Sequence, residues 1–142
     1  MEESRPCPFC EMDERVLRSN EHANLFLSNP RKVEGHMLVT PKRHFEEPWR
    51  VTDEEQIAMT SLTRVAQRVL AREFGGGVDT RQNYRPFMPE GGIKVGHFHY
   101  HVYPRTEEDE LWQKVEKFER EMFTPLSDEE QTRMEKLFKS EA

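Results

Sequence analysis

The sequence predicts an α+β domain: an antiparallel sheet of about four or five strands, one principal helix on a face, and a charged helical tail. Three observations lead there. Short β-prone runs end at Asn, Pro or Gly; one long segment spaces its apolar residues mostly by three and four; and residues 97–103 alternate histidine with apolar or aromatic side chains.

Ala23-Asn24-Leu25-Phe26-Leu27-Ser28 reads as a first strand, stopped by Asn29-Pro30, where proline offers no ladder donor. Gly35-His36-Met37-Leu38-Val39-Thr40 reads as a second, stopped by Pro41, and the short connection favours an antiparallel pair. Thr52-Asp53-Glu54-Glu55 is a helix start, with Thr52 as cap and Glu55 as its capping-box partner. Ile57, Met59, Leu62, Val65, Ala66, Val69, Leu70 and Phe74 then supply one buried face, and Gly75-Gly76-Gly77 ends the helix.

A strand is expected around Asp79 to Tyr84, followed by a loop containing Pro86, Pro89, Gly91 and Gly92, well placed as a ligand-facing rim. Beyond Pro104, Glu108 to Met122 and Ser127 to Phe138 read as two helices, the second opened by the Ser127/Glu130 capping box.

His97-Phe98-His99-Tyr100-His101-Val102-Tyr103 constrains function most tightly. Side chains on a strand alternate faces, so three imidazoles share one surface while Phe98, Tyr100 and Val102 pack on the other. Same-face neighbours stand roughly 6.7 Å apart. That is too far for His97 and His101 to share a metal, and close enough for neighbours to act on one phosphate.

Composition narrows the function classes. The 142 residues suit one domain with a real core. The formal charge of −6 is uneven: residues 1–105 carry 15 acids and 15 bases, residues 106–142 carry 12 acids and 6 bases. An acidic chain is a poor non-specific nucleic-acid binder, whereas a small phosphorylated ligand needs only a local positive pocket. No run of about 18 apolar residues suits a membrane span, and Met1-Glu2-Glu3-Ser4-Arg5 lacks the regions of a signal peptide. A cytoplasmic protein with no membrane partner is expected.

Cys7-Pro8-Phe9-Cys10 has the spacing of a zinc knuckle, and two thiolates leave a tetrahedral zinc half satisfied. His44 and His97 each sit at the end of an expected element, where a knuckle can reach them. A closed Cys2His2 site is structural, with no position left for water. The same pair also resembles a glutaredoxin-type redox motif, although such a pair should follow a first strand.

A neutral imidazole can attack phosphorus without a separate base, its second nitrogen fixing the tautomer. His99 is best placed as nucleophile, His101 as donor to a phosphoryl oxygen or leaving group, and His36 as a further member. The alternatives are polar-face histidines without chemistry, or a histidine-only metal site that leaves the cysteines unexplained.

His97 to Tyr103 resembles the His-φ-His-φ-His-φ-φ signature of the histidine triad (HIT) family, and Gly35 to His44 resembles its G-H-x-L-V-x-P-K-x-H stretch. With Cys7 and Cys10 the resemblance spans residues 7–105. It implies a HIT domain over residues 1–105 with an N-terminal zinc knuckle, and an acidic helical extension over 106–142. It implies hydrolases or transferases that cleave at an α-phosphate through a nucleotidyl-histidine intermediate, with His99 the nucleophile, His101 the phosphate and leaving-group contact and His36 a supporting residue. In zinc-bearing members the ligands correspond to Cys7, Cys10, His44 and His97. The third histidine, rather than the glutamine of the related uridylyltransferases, argues for water as final acceptor.

The chain departs from the family where Gly92-Ile93-Lys94-Val95 replaces the usual G-Q-[ST]-V, which puts ordinary phosphoramidase activity in doubt. Lys94 is a candidate polyphosphate contact, Asn83 a candidate amide contact, and Asn29 a candidate ribose partner. The resemblance also implies a homodimer through the main helix and adjoining strand. The leading expectation is a hydrolase of a mononucleoside or dinucleoside polyphosphate, or a related nucleotidyl compound, releasing a nucleoside monophosphate. The alternative is a non-catalytic nucleotide-binding or scaffold module using the acidic tail as a partner surface.

Overall fold

The computed structural model describes residues 7–10, 15–89 and 95–140. Five strands, β1 (Val16–Ser19), β2 (Ala23–Leu27), β3 (Met37–Pro41), β4 (Gly77–Gln82) and β5 (Tyr100–Arg105), form one sheet in the order β1-β2-β3-β5-β4, every neighbouring pair antiparallel. The α+β class is borne out. Among the described residues, no helix is long and apolar enough to cross a membrane.

Helix α1 (Asp53–Phe74) starts where its cap predicts, Thr52 accepting from the Glu55 amide while Glu55 accepts from the Thr52 amide. It ends at Gly75, whose φ of +68° is the left-handed C-cap conformation. Gly76 follows against the Arg105 carbonyl; a Cβ there would stand 2.2 Å from that oxygen. The glycine run thus lets β4 approach β5 immediately after the helix.

Met59, Leu62, Ala66 and Leu70 of α1 bury against Ala23, Leu25, Val39 and Val102 of the sheet. Each such side chain contributes about 1.5–3 kcal/mol relative to exposure for those of Val or Leu size. Ile57, expected on this face, is instead 69% exposed. It lies two residues from Met59, about 200° around the helix, so both cannot face the sheet.

The other sheet face has a different character. Phe26 and Leu38 form a small apolar cluster there with Phe9 and Val16. His101 and Tyr103, alternating with Val102, continue that face along β5, opposite Arg81 and Asp79 of β4.

Three expectations need correction. Strand β5 begins at Tyr100, not His97: Phe98 donates its amide to the Phe45 carbonyl at 2.6 Å, so the chain here bonds to the β3–α1 connection rather than to the ladder. The expected 79–84 strand lies at Gly77–Gln82, drawn back by pairing with β5 down to Gly77 opposite Arg105. The helix expected over 108–122 is split into α2 (Glu110–Lys114) and a 3-10 turn, Glu116–Met122, around Val115 at φ −127°. Asp109 caps α2 while binding Arg105, and Glu116 turns inward to pair with Arg105 and Arg81, so one straight helix cannot serve both. Helix α3 (Asp128–Lys139) carries the expected Ser127/Glu130 capping box.

Candidate active site and metal cluster

The Cys7–Cys10 turn, closed by the Cys10 amide on the Cys7 carbonyl at 3.2 Å, carries its thiols to the end of β3. His97 Nδ1 lies 3.4 Å from Cys7 Sγ and 3.6 Å from Cys10 Sγ, and His44 Nδ1 lies 3.4 Å from Cys10 Sγ. All four donor atoms fall within 4.8 Å of one another. Tetrahedral zinc with its usual bond lengths separates a sulfur and a nitrogen ligand by roughly 3.6 Å, so this spacing fits such an ion. His97 Nε2 donates to the Pro41 carbonyl at 2.8 Å, which leaves the Nδ1 lone pair aimed at the thiols. The cluster predicted from Cys7, Cys10, His44 and His97 is therefore assembled and can hold a metal ion.

Phe9, between the cysteines, anchors this turn to the sheet. Its ring meets Phe26 at 5.3 Å and stands edge-on to His99 at 5.1 Å. The sequence alone assigns Phe9 no role; its neighbours become visible only when the turn is docked on β2.

His36, His99 and His101 form a directional hydrogen-bond arrangement. His99 Nδ1 donates to the His97 carbonyl at 2.6 Å, so its Nε2 keeps the lone pair. His36 Nδ1 accepts from the Lys32 amide at 3.2 Å, which requires the proton of a neutral His36 to sit on Nε2. That Nε2 faces His101 Nδ1 at 2.9 Å and donates to it, leaving the His101 proton on Nε2. These tautomers are assigned from the hydrogen-bond network. The result is one imidazole presenting a lone pair beside another presenting a proton, their ring centres 4.8 Å apart.

Burial keeps these rings neutral. It pushes His36 down to about 4, with the Lys32 charge and His99 acting in the same direction. It pushes His101 down to about 3, aided by His99, His36, Lys32 and Arg81. His99 is also held below its ordinary value, by burial first, with the His97 carbonyl opposing the shift.

His99 and His101 line a cavity together with Asn83, Tyr84, Lys32 and Arg85. Asn83 is thus brought to the site. Asn29 is exposed in the β2–β3 connection and is absent from that lining. Lys94 lies outside the described residues.

Sequence reasoning missed the cations. Lys32 sits in an Arg-Lys turn that reads as solvated surface, and its Nζ stands 5.7 Å from the Tyr103 ring centre. Arg81 faces His101 across the β4–β5 ladder, with its guanidinium 5.5 Å from the same ring. Only the strand register reveals that relation. Arg81 is also paired with Glu116, and buried Arg105 binds Asp79 at 2.9 Å, Asp109 at 3.0 Å and Glu116. The C-terminal segment is thereby tied to the strand that flanks the histidines.

Comparison with known proteins agrees with this arrangement. A family profile described as HIT domain matches residues 10–108. An uncharacterized HIT-like protein of Methanocaldococcus jannaschii is 34% identical over 110 residues, covering 72% of this chain and 81% of that protein. The crystal structure of a HIT-family member from Bacillus subtilis superposes with a TM-score of 0.74 at 24% identity, covering 97% of this chain and 98% of that one. A zinc-bound histidine triad family protein from Mycobacterium smegmatis superposes with a TM-score of 0.60 at 26% identity, covering 75% and 79%.

Proposed function

The chain belongs to the HIT domain family, and from that premise and the histidine tautomers we propose that it hydrolyses a nucleotidyl compound at its α-phosphate, through a covalent intermediate on His99. The observation that carries this reading is the opposed pair: a lone pair on His99 Nε2 beside a proton on His101 Nε2. This pairing supports reading His99 as nucleophile and His101 as leaving-group donor, both neutral at pH 7.

In the first step His99 Nε2 attacks the α-phosphorus. An N–P bond forms, the P–O bond to the leaving group breaks, and that oxygen departs with the electron pair, accepting a hydrogen bond from His101 Nε2. The His97 carbonyl, already holding Nδ1–H, stabilises the positive charge that develops on the His99 ring. In the second step water attacks phosphorus from the opposite side, the N–P bond breaks, and nucleoside monophosphate and a proton leave. His36 holds His101 in the donating tautomer. Asn83 contributes an amide contact, Asn29 a ribose contact and Lys94 a contact to further phosphates.

A zinc ion on Cys7, Cys10, His44 and His97 closes a structural site that fastens the N-terminal turn to the sheet. The zinc-bound mycobacterial relative supports this choice of metal. We place the protein in the cytoplasm as a homodimer formed through the main helix and an adjoining strand.

The test is incubation with diadenosine polyphosphates and adenosine phosphoramidates, followed by chromatography for AMP. Release of AMP by the native protein, abolished in a folded His99→Ala variant, is the expected result. Tight nucleotide binding with no product in the native protein would instead favour the non-catalytic module.

A further inference from the structure

The cavity beside the histidines carries two cations without a carboxylate partner among the described residues, Lys32 and Arg85. Such side chains normally avoid one another. Here Lys32 is partly desolvated, and Arg81 and Arg85 both lie close enough to act against its charge. Like charges gathered at the mouth of a cavity raise the free energy of the empty site and lower that of an anion complex.

Their position along the cavity gives the site a direction. Lys32 is fixed by its own amide on His36, and its ammonium reaches the Tyr103 ring, beyond His101 as seen from His99. Among the described residues, the one carboxylate in the lining is Glu46, which follows Phe45, whose carbonyl holds the Phe98 amide. The acid therefore belongs to the metal-cluster end and the cations to the His101 end. A leaving group that takes a proton interaction from His101 departs toward positive charge.

We propose that Lys32 and Arg85 are specificity-determining residues that bind the phosphates beyond the scissile one, so that the site selects leaving groups carrying a polyphosphate chain over uncharged ones. The inference rests on the nucleotide-hydrolase reading above and assigns the leaving-group side of that same site. Arg81 is already paired with Glu116 and Asp79, so the ligand-binding charge is assigned to Lys32 and Arg85.

The experiment is equilibrium binding, by calorimetry, of the adenosine and guanosine monophosphates and of the non-cleavable α,β-methylene di- and triphosphate analogues. Native protein is compared with Lys32→Gln and Arg85→Gln. The native protein should gain affinity with each added phosphate, the gain shrinking as salt is raised. Each variant should lose on the order of tenfold in triphosphate affinity, as expected for one charge-assisted contact, while binding the monophosphate as the native protein does. The inference is overturned if the native protein shows no gain beyond the monophosphate, or if either variant retains the full gain. It is overturned equally if monophosphate and triphosphate affinities fall together, since the cations then act on the α-phosphate or on local structure. Absence of any nucleotide binding to the native protein would remove the hydrolase reading itself, and this inference with it.

Discussion

His36 Nε2 and His101 Nδ1 stand 2.9 Å apart, and the only neutral arrangement compatible with the Lys32 amide on the far side of His36 makes His36 the donor. A main-chain N–H on the β2–β3 connection thereby determines which nitrogen of a β5 residue carries the proton.

That relay makes His36 a positioning residue. His36→Ala should lower kcat by about tenfold or more, approaching the roughly 10²–10⁴-fold that an oriented general acid contributes, and shift nucleotide affinity little. A parallel measurement of kcat and of monophosphate binding separates this from collapse of the pocket, which would weaken both.

Stability should fall in mild acid. Burial lowers His36 to about 4 and His101 to about 3 from the ordinary 6.5. Above 6.5 neither the folded nor the unfolded chain binds a proton at these rings, and their contribution is fully present. Below 6.5 the unfolded chain protonates first, so stability declines until the folded-state values are reached near 4 and 3. Urea unfolding midpoints at a series of pH values between 8 and 4 check this; the decline should be reduced in the double variant His36→Asn/His101→Asn.

Elemental analysis should find a single zinc per chain, and Cys7→Ser should lose it. Because bound metal stabilises only the folded chain, the variant's thermal midpoint should drop, and excess chelator should lower the native midpoint toward the same value. A native protein that is metal-free and unaffected by chelator would refute the ligand assignment.

Glu116 is 4% exposed and contacts both Arg81 and Arg105. Glu116→Gln keeps the shape and removes the charge. It should destabilise by about 1.5–3 kcal/mol, the scale of a hydrogen bond to a charged group, because Asp79 and Asp109 still partner Arg105. Denaturant titration gives the figure. An unchanged midpoint would mean that the C-terminal segment does not brace the sheet.

What could be seen in the chain alone follows from where the information is local. Strands β2 and β3, the long helix and both capping boxes are specified by residues within a few positions of each other, and they lie close to where pattern and turn chemistry indicate. The metal cluster was legible because four soft or imidazole ligands have few other uses together. Strand β1 was not: Val16-Leu17-Arg18-Ser19 is mostly exposed and its pairing shifts register, so it carries no alternation. Lys32, Arg81 and Glu116 were missed because their partners come from other elements, and a charged residue in a turn or short strand reads the same whether it faces solvent or a cavity. Ile57 shows the opposite error, since apolar character alone does not fix a side of the helix.

Residue 97 touches the two centres through different atoms. Its ring serves the thiols and Pro41, while its carbonyl receives the His99 ring. Every amino acid owns a carbonyl, so the hydrogen bond that orients the His99 ring does not depend on what side chain occupies that position. Replacing the side chain at position 97 would thus remove a ligand from the cysteine cluster while leaving in place the main-chain acceptor that fixes the tautomer of the central imidazole.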